Sequence, residues 1–322
     1  MRLIRTFAEG DEITGFYLLK NVEIKQTNGT PPKDFLDLAL ADKSGEIPAK
    51  LWDASPTDKE AFVAPMLVKV RGIVQSYREK PQLKVIQIRP VVREDGLNIT
   101  DFVRSAPVLP VDLLHAIATT AGSFQDQDIK RIVEMCLAKA SDKLMHYPAG
   151  KGMHHAFYAG LAYHVARMLE LGEFVCRQRP FLNRDLLLAG IILHDIAKTE
   201  EMEAELGVVS DYSVKGKLLG HLALAYGWIT ESAVALGMSL DDEKVVALQH
   251  IVLSHHNLGE WGSPVQPQLP EAVALHYIDQ LDAKLQAVED AVDAAHDNSK
   301  WTAPVRVAEN KQMYVITRRN AP

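Results

Sequence analysis

The chain has 322 residues, of which 47% are hydrophobic and 24% charged, a composition typical of soluble globular proteins. Its two cysteines, Cys136 and Cys176, form no CxxC motif, which argues against a disulfide framework and favours a cytoplasmic protein. The net charge of −7 argues against a generally basic nucleic-acid binder. Acidic residues come too early for a signal peptide, and the densest apolar run, residues 186–193, is too short to cross a membrane.

The charge is unevenly distributed along the chain. Residues 1–95 carry 15 Lys and Arg against 14 Asp and Glu, whereas the rest carries 20 against 28. Between residues 69 and 93, seven basic residues stand against Glu79 alone. Because salt screens distant charges, such a local basic stripe can attract phosphates even on an acidic protein.

Residues 1–95 are predicted to form β-structure, because short segments rich in β-branched and aromatic residues alternate with turn signals. The strands are predicted at 13–24, 34–41, 46–52, 67–76 and 82–92, with a short helix near 58–62. Five strands and one short helix fit a small Greek-key barrel. The OB-fold is the commonest such barrel that meets oligonucleotides.

The rest of the chain is predicted to be helical. Residues 96–150 are expected to form a linker and helical connector, punctuated by Pro107 and Pro110. Apolar spacing of three and four then predicts helices at 129–140, 157–171, 186–197, 218–236, 245–253 and 273–292. The expected fold is therefore a two-domain chain, with a small OB-like β-barrel at 1–95 and an all-α domain at 151–300. A tail at 301–322 holds a strand-like segment at 313–317.

The helical part holds most of the histidines. They are His154, His155, His164, His194, His221, His250, His255, His256 and His276, and Asp195, Asp279 and Asp282 accompany them. Neutral imidazole is the commonest metal ligand in proteins, and a carboxylate can bridge two ions. No cysteine lies among these residues, which argues against a structural zinc site. A mixed His/Asp centre with open positions suits hydrolysis better.

The adjacent pair His194-Asp195 ends a predicted apolar helix and is followed by Lys198. Such a pair would give a metal one nitrogen and one oxygen from a rigid element. Alternatively, Asp195 caps the helix and His194 is a satisfied core residue. His164, thirty residues earlier, and Asp279, far later, favour the metal interpretation.

The series His164, His194-Asp195 and Asp279 resembles the signature of the HD superfamily, an all-helical phosphohydrolase fold. His221 and the pair His255-His256 extend the resemblance to the HD subfamilies with two metals. An OB-like domain ahead of an HD domain resembles, more narrowly, the YhaM family of 3′-5′ exoribonucleases. The stretches 154–164, 254–264 and 276–284 carry this narrower match. One departure is Ala197, where HD proteins usually have glycine before the lysine.

The resemblance implies a centre of two divalent ions. One ion would take His164, His194, Asp195 and Asp279, and the other His221, His255 and His256, with Asp195 as the bridge. Manganese is the favoured metal, with Fe²⁺, Mg²⁺ and Co²⁺ as alternatives.

Two neighbours refine this assignment. Asp282 lies one helical turn from Asp279 and is expected to orient a histidine. His255 and His256 can face one site only if their helix ends there, and the sequence that follows is a plausible helix end.

Other residues near the predicted centre have two interpretations. His154 and His155 either contact substrate phosphate, with His155 assisting catalysis, or cap the next helix. Lys198 either offsets phosphate charge during catalysis or pairs with a carboxylate such as Glu201. His250 and His276 fit structural roles better.

The barrel is expected to grip single strands by stacking bases on aromatic rings and tracking the backbone with basic groups. The alternative is that each aromatic residue belongs to the barrel core and each lysine to a solvated face. The candidates are Phe35, Trp52 and Tyr77 for stacking and Lys50, Arg78, Lys80 and Lys84 for phosphates.

The leading hypothesis is a metal-dependent 3′-5′ exoribonuclease in which a metal-bound hydroxide hydrolyses single-stranded RNA, with DNA as a further substrate. The direction and the RNA preference come from the resemblance alone. The first alternative is an HD phosphohydrolase acting on nucleotides or cyclic dinucleotides. The second is a non-catalytic nucleic-acid-binding protein. Association into a homo-oligomer is compatible with each hypothesis, and a membrane partner is not expected.

Overall fold

The computed structural model describes residues 2–52, 54–78, 80–97, 99–152, 155–295 and 299–316. The chain divides into two compact units. The first comprises Met1–Ser105 with Glu205–Ser210, and the second comprises Ala106–Ala204 with Asp211–Pro322. The predicted domain limits at residues 95, 150 and 300 stay predictions.

A closed five-stranded barrel forms the body of the first unit, as the sequence predicts. Its strands are β1 (Glu12–Gln26), β2 (Asp34–Asp42), β3 (Gly45–Leu51), β4 (Met66–Tyr77) and β5 (Lys80–Pro90). They follow the order β1-β2-β3-β5-β4, in which only β3 and β5 run parallel. Helix α1 (Pro56–Ala61) lies between β3 and β4 in the chain and begins with a capping box of Ser55 and Asp58. The arrangement fits an OB-fold.

Alternating side chains fill the barrel. Tyr17, Leu36, Leu40 and Leu83 are among its fully buried core residues, as the period-two pattern of a half-buried strand requires. A β-bulge interrupts the β4–β5 ladder between Arg71 and Gly72. A Cβ on Gly72 would lie 2.6 Å from the Lys84 carbonyl oxygen, so glycine lets the two strands approach at this point.

The second unit is a bundle of helices around one buried member. The helices are α2 (Pro110–Gly122), α3 (Gln127–Leu144), α4 (Gly160–Gln178), α5 (Arg184–Leu193), α6 (Lys198–Glu201), α7 (Val214–Ala235), α8 (Glu243–Ser254) and α9 (Pro270–Ala294). Residues 185–193 of α5 are all buried, and α5 packs against α3, α4, α8 and α9. A helix that is apolar on every side belongs at the centre of a domain. None of the described helices combines the length and apolar character that a membrane span requires.

Three predicted helices have different limits in the structure. Helix α5 ends at Leu193, so the predicted helical spacing to Ala197 runs too far, whereas His194-Asp195 ends the apolar helix as expected. Helix α4 begins at Gly160 because Ala159 has φ 59° and a Cβ on Gly160 would lie 2.0 Å from the His155 carbonyl oxygen. Helix α7 is broken at Gly220, which has φ 72°.

The sequence did not predict the hairpin of β6 (Met202–Glu205) and β7 (Val208–Tyr212). Its two turn residues, Leu206 and Gly207, have φ of 52° and 78°, the positive values of a type I′ turn. The turn was not predicted because leucine occupies its first position, where asparagine or aspartate is usual.

The predicted strand at 313–317 is wrong for the residues that the structure describes. The β-bridges within residues 299–316 are isolated ones, Trp301 with Tyr314 and Val305 with Lys311. Thr317 lies outside the described residues.

Two helical glycines allow a matched test of the packing around α5. A Cβ on Gly190 would lie 2.6 Å from Ile251 and 3.0 Å from Leu275, whereas one on Gly227 meets nothing within 4 Å. We expect Gly190→Ala to lower the free energy of unfolding by about 1–3 kcal/mol, because the core must expand. Gly227→Ala should raise it by up to about 1 kcal/mol through helix propensity. Urea titrations of both variants measure the difference, and equal midpoints would contradict the tight contact at Gly190.

Candidate metal centre

The seven sequence-predicted ligands form two neighbouring groups in the helical unit. The first group is His164, His194 and Asp279, and the second is Asp195, His221, His255 and His256; within each, the candidate ligand atoms lie within 4.8 Å of one another. Asp195 also reaches the first group, because its Oδ2 lies 3.3 Å from His194 Nε2. Its Oδ1 lies 3.2 Å from His221 Nε2. The carboxylate therefore lies between the groups, as a bridging ligand would.

Two helix ends supply four of these ligands in the same way. His194 caps the C-terminus of α5 and donates Nδ1–H to the Ile191 carbonyl at 2.8 Å. His255 caps the C-terminus of α8 and donates Nδ1–H to the Val252 carbonyl at 2.8 Å. Both carbonyls belong to the last turn, which lacks helical partners for its oxygens. The residue after each cap, Asp195 or His256, is the next candidate ligand. Helix α8 ends at Ser254, slightly before the predicted end at 257–259, and His255 is its cap.

These hydrogen bonds assign the tautomers of three ligand histidines. A carbonyl oxygen only accepts, so Nδ1 carries the proton in His194 and His255 and also in His256, which donates to the Trp261 carbonyl at 2.6 Å. The Nε2 lone pair of each neutral ring is then available to a cation.

Buried polar atoms in the centre lack protein partners. Nε2 of His194, His221 and His255 and Oδ1 of Asp195 are buried and make no hydrogen bond to any described residue. Leaving each such group unpaired costs about 1–3 kcal/mol. Nitrogen and carboxylate donors that converge without thiolates suit a divalent cation, so the residues fit the metal that the sequence implies.

Glu201 holds the fourth histidine in place. Its Oε1 accepts hydrogen bonds at 3.1 Å from both the backbone N–H and the Nδ1 of His221. The break at Gly220 frees that backbone N–H from the helical ladder. A Cβ on Gly216 would lie 2.1 Å from the Glu201 carbonyl oxygen, so glycine also allows α7 to pack directly on this residue.

Asp282 orients the fifth histidine, as its spacing from Asp279 predicts. The buried carboxylate lies 2.7 Å from His164 Nδ1 and 3.0 Å from Arg167 Nε. On its other side, His164 Nε2 lies 3.2 Å from Asp279. Burial acts to lower the pKa of His164, but the bonds to Asp279 and Asp282 outweigh it and raise this pKa to about 9.

The structure places the His155 side chain in the protein interior, next to Asp282 and His164. Its side chain is fully buried, and its Nε2 lies 3.4 Å from Asp282. Its ring centroid is 5.0 Å from that of His164. The predicted contact between the His155 side chain and substrate stays a prediction, and in this conformation the ring is fully buried. His154 lies outside the described residues.

Lys198 pairs with Asp195, not with Glu201. Its Nζ lies 2.7 Å from Asp195 Oδ2, and both side chains are largely buried. Burial acts to raise the pKa of Asp195, but the neighbouring ammonium group of Lys198 helps to hold it well below its ordinary value. The ion pair keeps the carboxylate charged and available as a ligand.

The remaining two histidines have structural contacts. His250 Nε2 accepts from the backbone N–H of Gln268 at 2.9 Å, which agrees with a structural role. His276 Nδ1 donates to the His255 carbonyl at 2.7 Å. His276 thus braces the turn that presents a ligand.

Most of the predicted RNA-binding residues cluster on one part of the barrel. Lys50 Nζ lies 5.1 Å and 5.8 Å from the ring centroids of Trp52 and Tyr77. Lys84 neighbours Lys50 across β3 and β5. Lys80 pairs with Tyr77 across the turn of the β4–β5 hairpin, where Arg78 stacks over the Tyr77 ring.

Exposure separates the three stacking candidates. Trp52 and Tyr77 are 38% and 54% exposed. Phe35 is buried, with its ring centroid 4.7 Å from that of Trp52, so the prediction that Phe35 stacks on a base is wrong. The buried Phe35 ring instead packs against the Trp52 ring.

Sequence reasoning missed two contacts, that of Glu201 with His221 and that of Arg167 with Asp282. Arg167 lies one turn after His164 on α4 and Glu201 lies one turn after Lys198, so helical spacing was the available signal. The contacts themselves depend on the break at Gly220 and on the packing of α4 against α9, which spacing alone does not fix.

The chain resembles known proteins over nearly its whole length. The HD domain family matches residues 161–284, and HD domains bind divalent metals. The "3′-5′ exoribonuclease YhaM" of Geobacillus sp. (strain WCH70) is 42% identical over 306 residues, which cover 95% of this chain and 92% of that protein. The proteins of the same name in Bacillus pumilus (strain SAFR-032) and Bacillus subtilis (strain 168) are each 39% identical. They cover 98% and 96% of this chain and 98% and 96% of their own lengths.

The aligned residues run through both the barrel and the HD domain. They cover almost the full length of this chain and of each relative. The chain therefore belongs to the YhaM family of 3′-5′ exoribonucleases.

Proposed function

We propose that this chain is a metal-dependent 3′-5′ exoribonuclease that hydrolyses the phosphodiester bonds of single-stranded RNA. The observation that carries the proposal is the convergence of two ligand groups at Asp195, with unpartnered imidazole nitrogens directed into one buried centre. The RNA substrate and the 3′-5′ direction are supported by the names of the relatives.

We assign one ion to each ligand group. Asp195 would bridge them, because one carboxylate oxygen faces His194 and the other faces His221. Nitrogen and oxygen donors without thiolate suit Mn²⁺, and Fe²⁺, Co²⁺ and Mg²⁺ are the alternatives. When bound, the ions supply Lewis acidity toward the phosphoryl oxygens and bring the pKa of water toward neutrality.

The surrounding side chains fix the ligands before substrate arrives. Asp282 and Glu201 hold His164 and His221 by Nδ1, so their Nε2 atoms stay directed at the ions. Lys198 keeps its positive charge beside Asp195. That charge would offset the negative charge that grows on the phosphoryl oxygens during hydrolysis.

The barrel would bind the RNA strand. Trp52 and Tyr77 expose rings on which bases can stack, and Lys50, Lys80 and Lys84 stand beside them as partners for phosphates. A free nucleotide needs no such surface, which favours RNA over the small substrates of other phosphohydrolases.

Two finer expectations are part of the proposal. Single-stranded DNA is a second substrate, because stacking and backbone contacts do not require the 2′-hydroxyl. A cytoplasmic location is supported by Cys136 and Cys176, which are free thiols.

The first prediction concerns Asp195. We expect Asp195→Asn to lower the rate of RNA hydrolysis more than 100-fold, since losing a bridging ligand should exceed the roughly 10- to 100-fold effect of removing an outer contact. The measurement is release of nucleotides from 3′-labelled single-stranded RNA with Mn²⁺, together with metal content after dialysis. Asp211→Asn, at an exposed carboxylate, is the control. RNA left intact by the wild type while free nucleotides are hydrolysed would contradict the proposed function.

The second prediction concerns Asp282. We expect Asp282→Asn to weaken metal binding by about 10- to 100-fold, because an amide holds His164 less firmly than a carboxylate does. Titration of activity and of bound metal against Mn²⁺ should show recovery at high Mn²⁺. Glu289→Gln changes an exposed carboxylate 3.7 Å from the same Arg167 and should leave the titration unchanged. A loss that no Mn²⁺ concentration restores would argue against a positioning role.

The third prediction concerns Lys84. If its ammonium neutralises one phosphate, Lys84→Gln should weaken RNA binding and reduce the slope of log affinity against log salt by about 0.7. Equilibrium binding of single-stranded RNA at several salt concentrations measures the slope. Lys43→Gln, at the exposed turn between β2 and β3, serves as the matched control. An equal effect of both variants would show that total charge, and not this position, matters.

A further inference from the structure

The loop after the second ligand group carries an exposed tryptophan. Trp261 is 52% exposed, and no ring or cation of the described residues stacks on its indole. The other three tryptophans all have partners: Trp52 contacts Phe35, Trp228 donates to Glu200, and Trp301 contacts Tyr314. About half of the Trp261 side chain is therefore accessible to a ligand.

The loop fixes Trp261 to a proposed metal ligand. The Trp261 carbonyl accepts from His256 Nδ1 at 2.6 Å, and the backbone N–H of His256 donates to Ser263 Oγ at 3.0 Å. Backbone bonds from Trp261 to Leu258 and from Gly262 to Gly259 close the turn. Two covalent bonds separate the Trp261 Cα from the oxygen that holds His256. The Trp261 backbone is therefore hydrogen-bonded directly to a candidate ligand of the centre.

The Trp261 backbone and the metal centre share His256 as a common contact. His256 presents Nε2 to the second ligand group, where we place the scissile phosphate, and it anchors the tryptophan backbone through Nδ1. The base of a nucleotide is one sugar away from its phosphate. An exposed aromatic ring attached next to a candidate ligand of the centre is the group we consider for contact with that base. Stacking is the recognition that an indole offers, and every nucleobase has a face for it.

We propose that Trp261 forms a nucleobase-stacking subsite that holds the terminal nucleotide while its phosphate lies at the metal centre. The inference rests on the proposed function and adds a subsite for the base to the predicted contacts with phosphate. Because stacking tolerates every base, the subsite would favour nucleotides over sugar phosphates without selecting a sequence.

The test compares two ligands that differ only in the base. Binding of adenosine 5′-monophosphate and of ribose 5-phosphate to the full chain with Mn²⁺ is measured by calorimetry. The wild type should prefer the nucleotide by about 5- to 150-fold, the range expected for one stacked base. Trp261→Ala should remove this preference and leave the affinity for ribose 5-phosphate unchanged. Trp261→Phe should keep most of it.

Trp301→Ala is the matched control, because Trp301 is also 52% exposed but lies in the C-terminal segment against Tyr314. It should leave the preference unchanged. A wild type without the preference, or a Trp261→Ala variant that retains it, overturns the subsite. A variant that retains the preference but changes the sedimentation coefficient overturns it in favour of a contact with a second copy.

The proposed function and the proposed subsite are rejected by different outcomes. Wild-type protein that leaves RNA intact while it dephosphorylates the nucleotide rejects the exoribonuclease. RNA shortening by the wild type, combined with an unaltered preference in Trp261→Ala, rejects the subsite alone.

Discussion

The proton on Nδ1 of each ligand histidine is the constraint on which the centre depends. In His194, His255 and His256 it is bonded to a backbone carbonyl, and in His164 and His221 an aspartate and a glutamate take the place of the carbonyl. Each bond fixes both the ring plane and the nitrogen that remains for a cation. The Nε2 atoms of His194, His221 and His255 then make no hydrogen bond to any described residue, and a divalent ion would satisfy several of them at once.

This constraint explains why the helices end where they do. A histidine at a C-cap can donate to a carbonyl three residues earlier, which the helix leaves unpaired. The same device at the ends of α5 and α8 turns two unsatisfied termini into ligand supports. Glycines complete the arrangement where backbones must touch: Gly160 against the His155 carbonyl and Gly216 against that of Glu201. The same close contacts therefore pack the helices and fix the geometry of the candidate ligands.

The sequence predicted the parts that depend on local pattern and residue type. All five strands and the barrel followed from alternation and turn residues, whereas the resemblance to the HD superfamily implied the seven candidate ligands. The hairpin after α6 escaped because Leu206 adopts a positive φ that leucine rarely takes. The burial of His155 and the contact of Arg167 with Asp282 arise from how α4 meets α9, and no spacing along one helix encodes that.

The charge distribution gives each half of the chain a separate task. Residues 96–322 carry 20 basic against 28 acidic side chains, a surface that repels a polyanion. Salt limits that repulsion to about 8 Å, so the local field decides what binds. At the centre, two divalent cations and Lys198 would exceed the charge of Asp195 and Asp279, which makes this one part of an acidic domain attractive to phosphate. On the proposed function, the metal would supply both the chemistry and the attraction, while the barrel, nearly neutral overall, would hold the rest of the strand through its basic cluster and exposed rings.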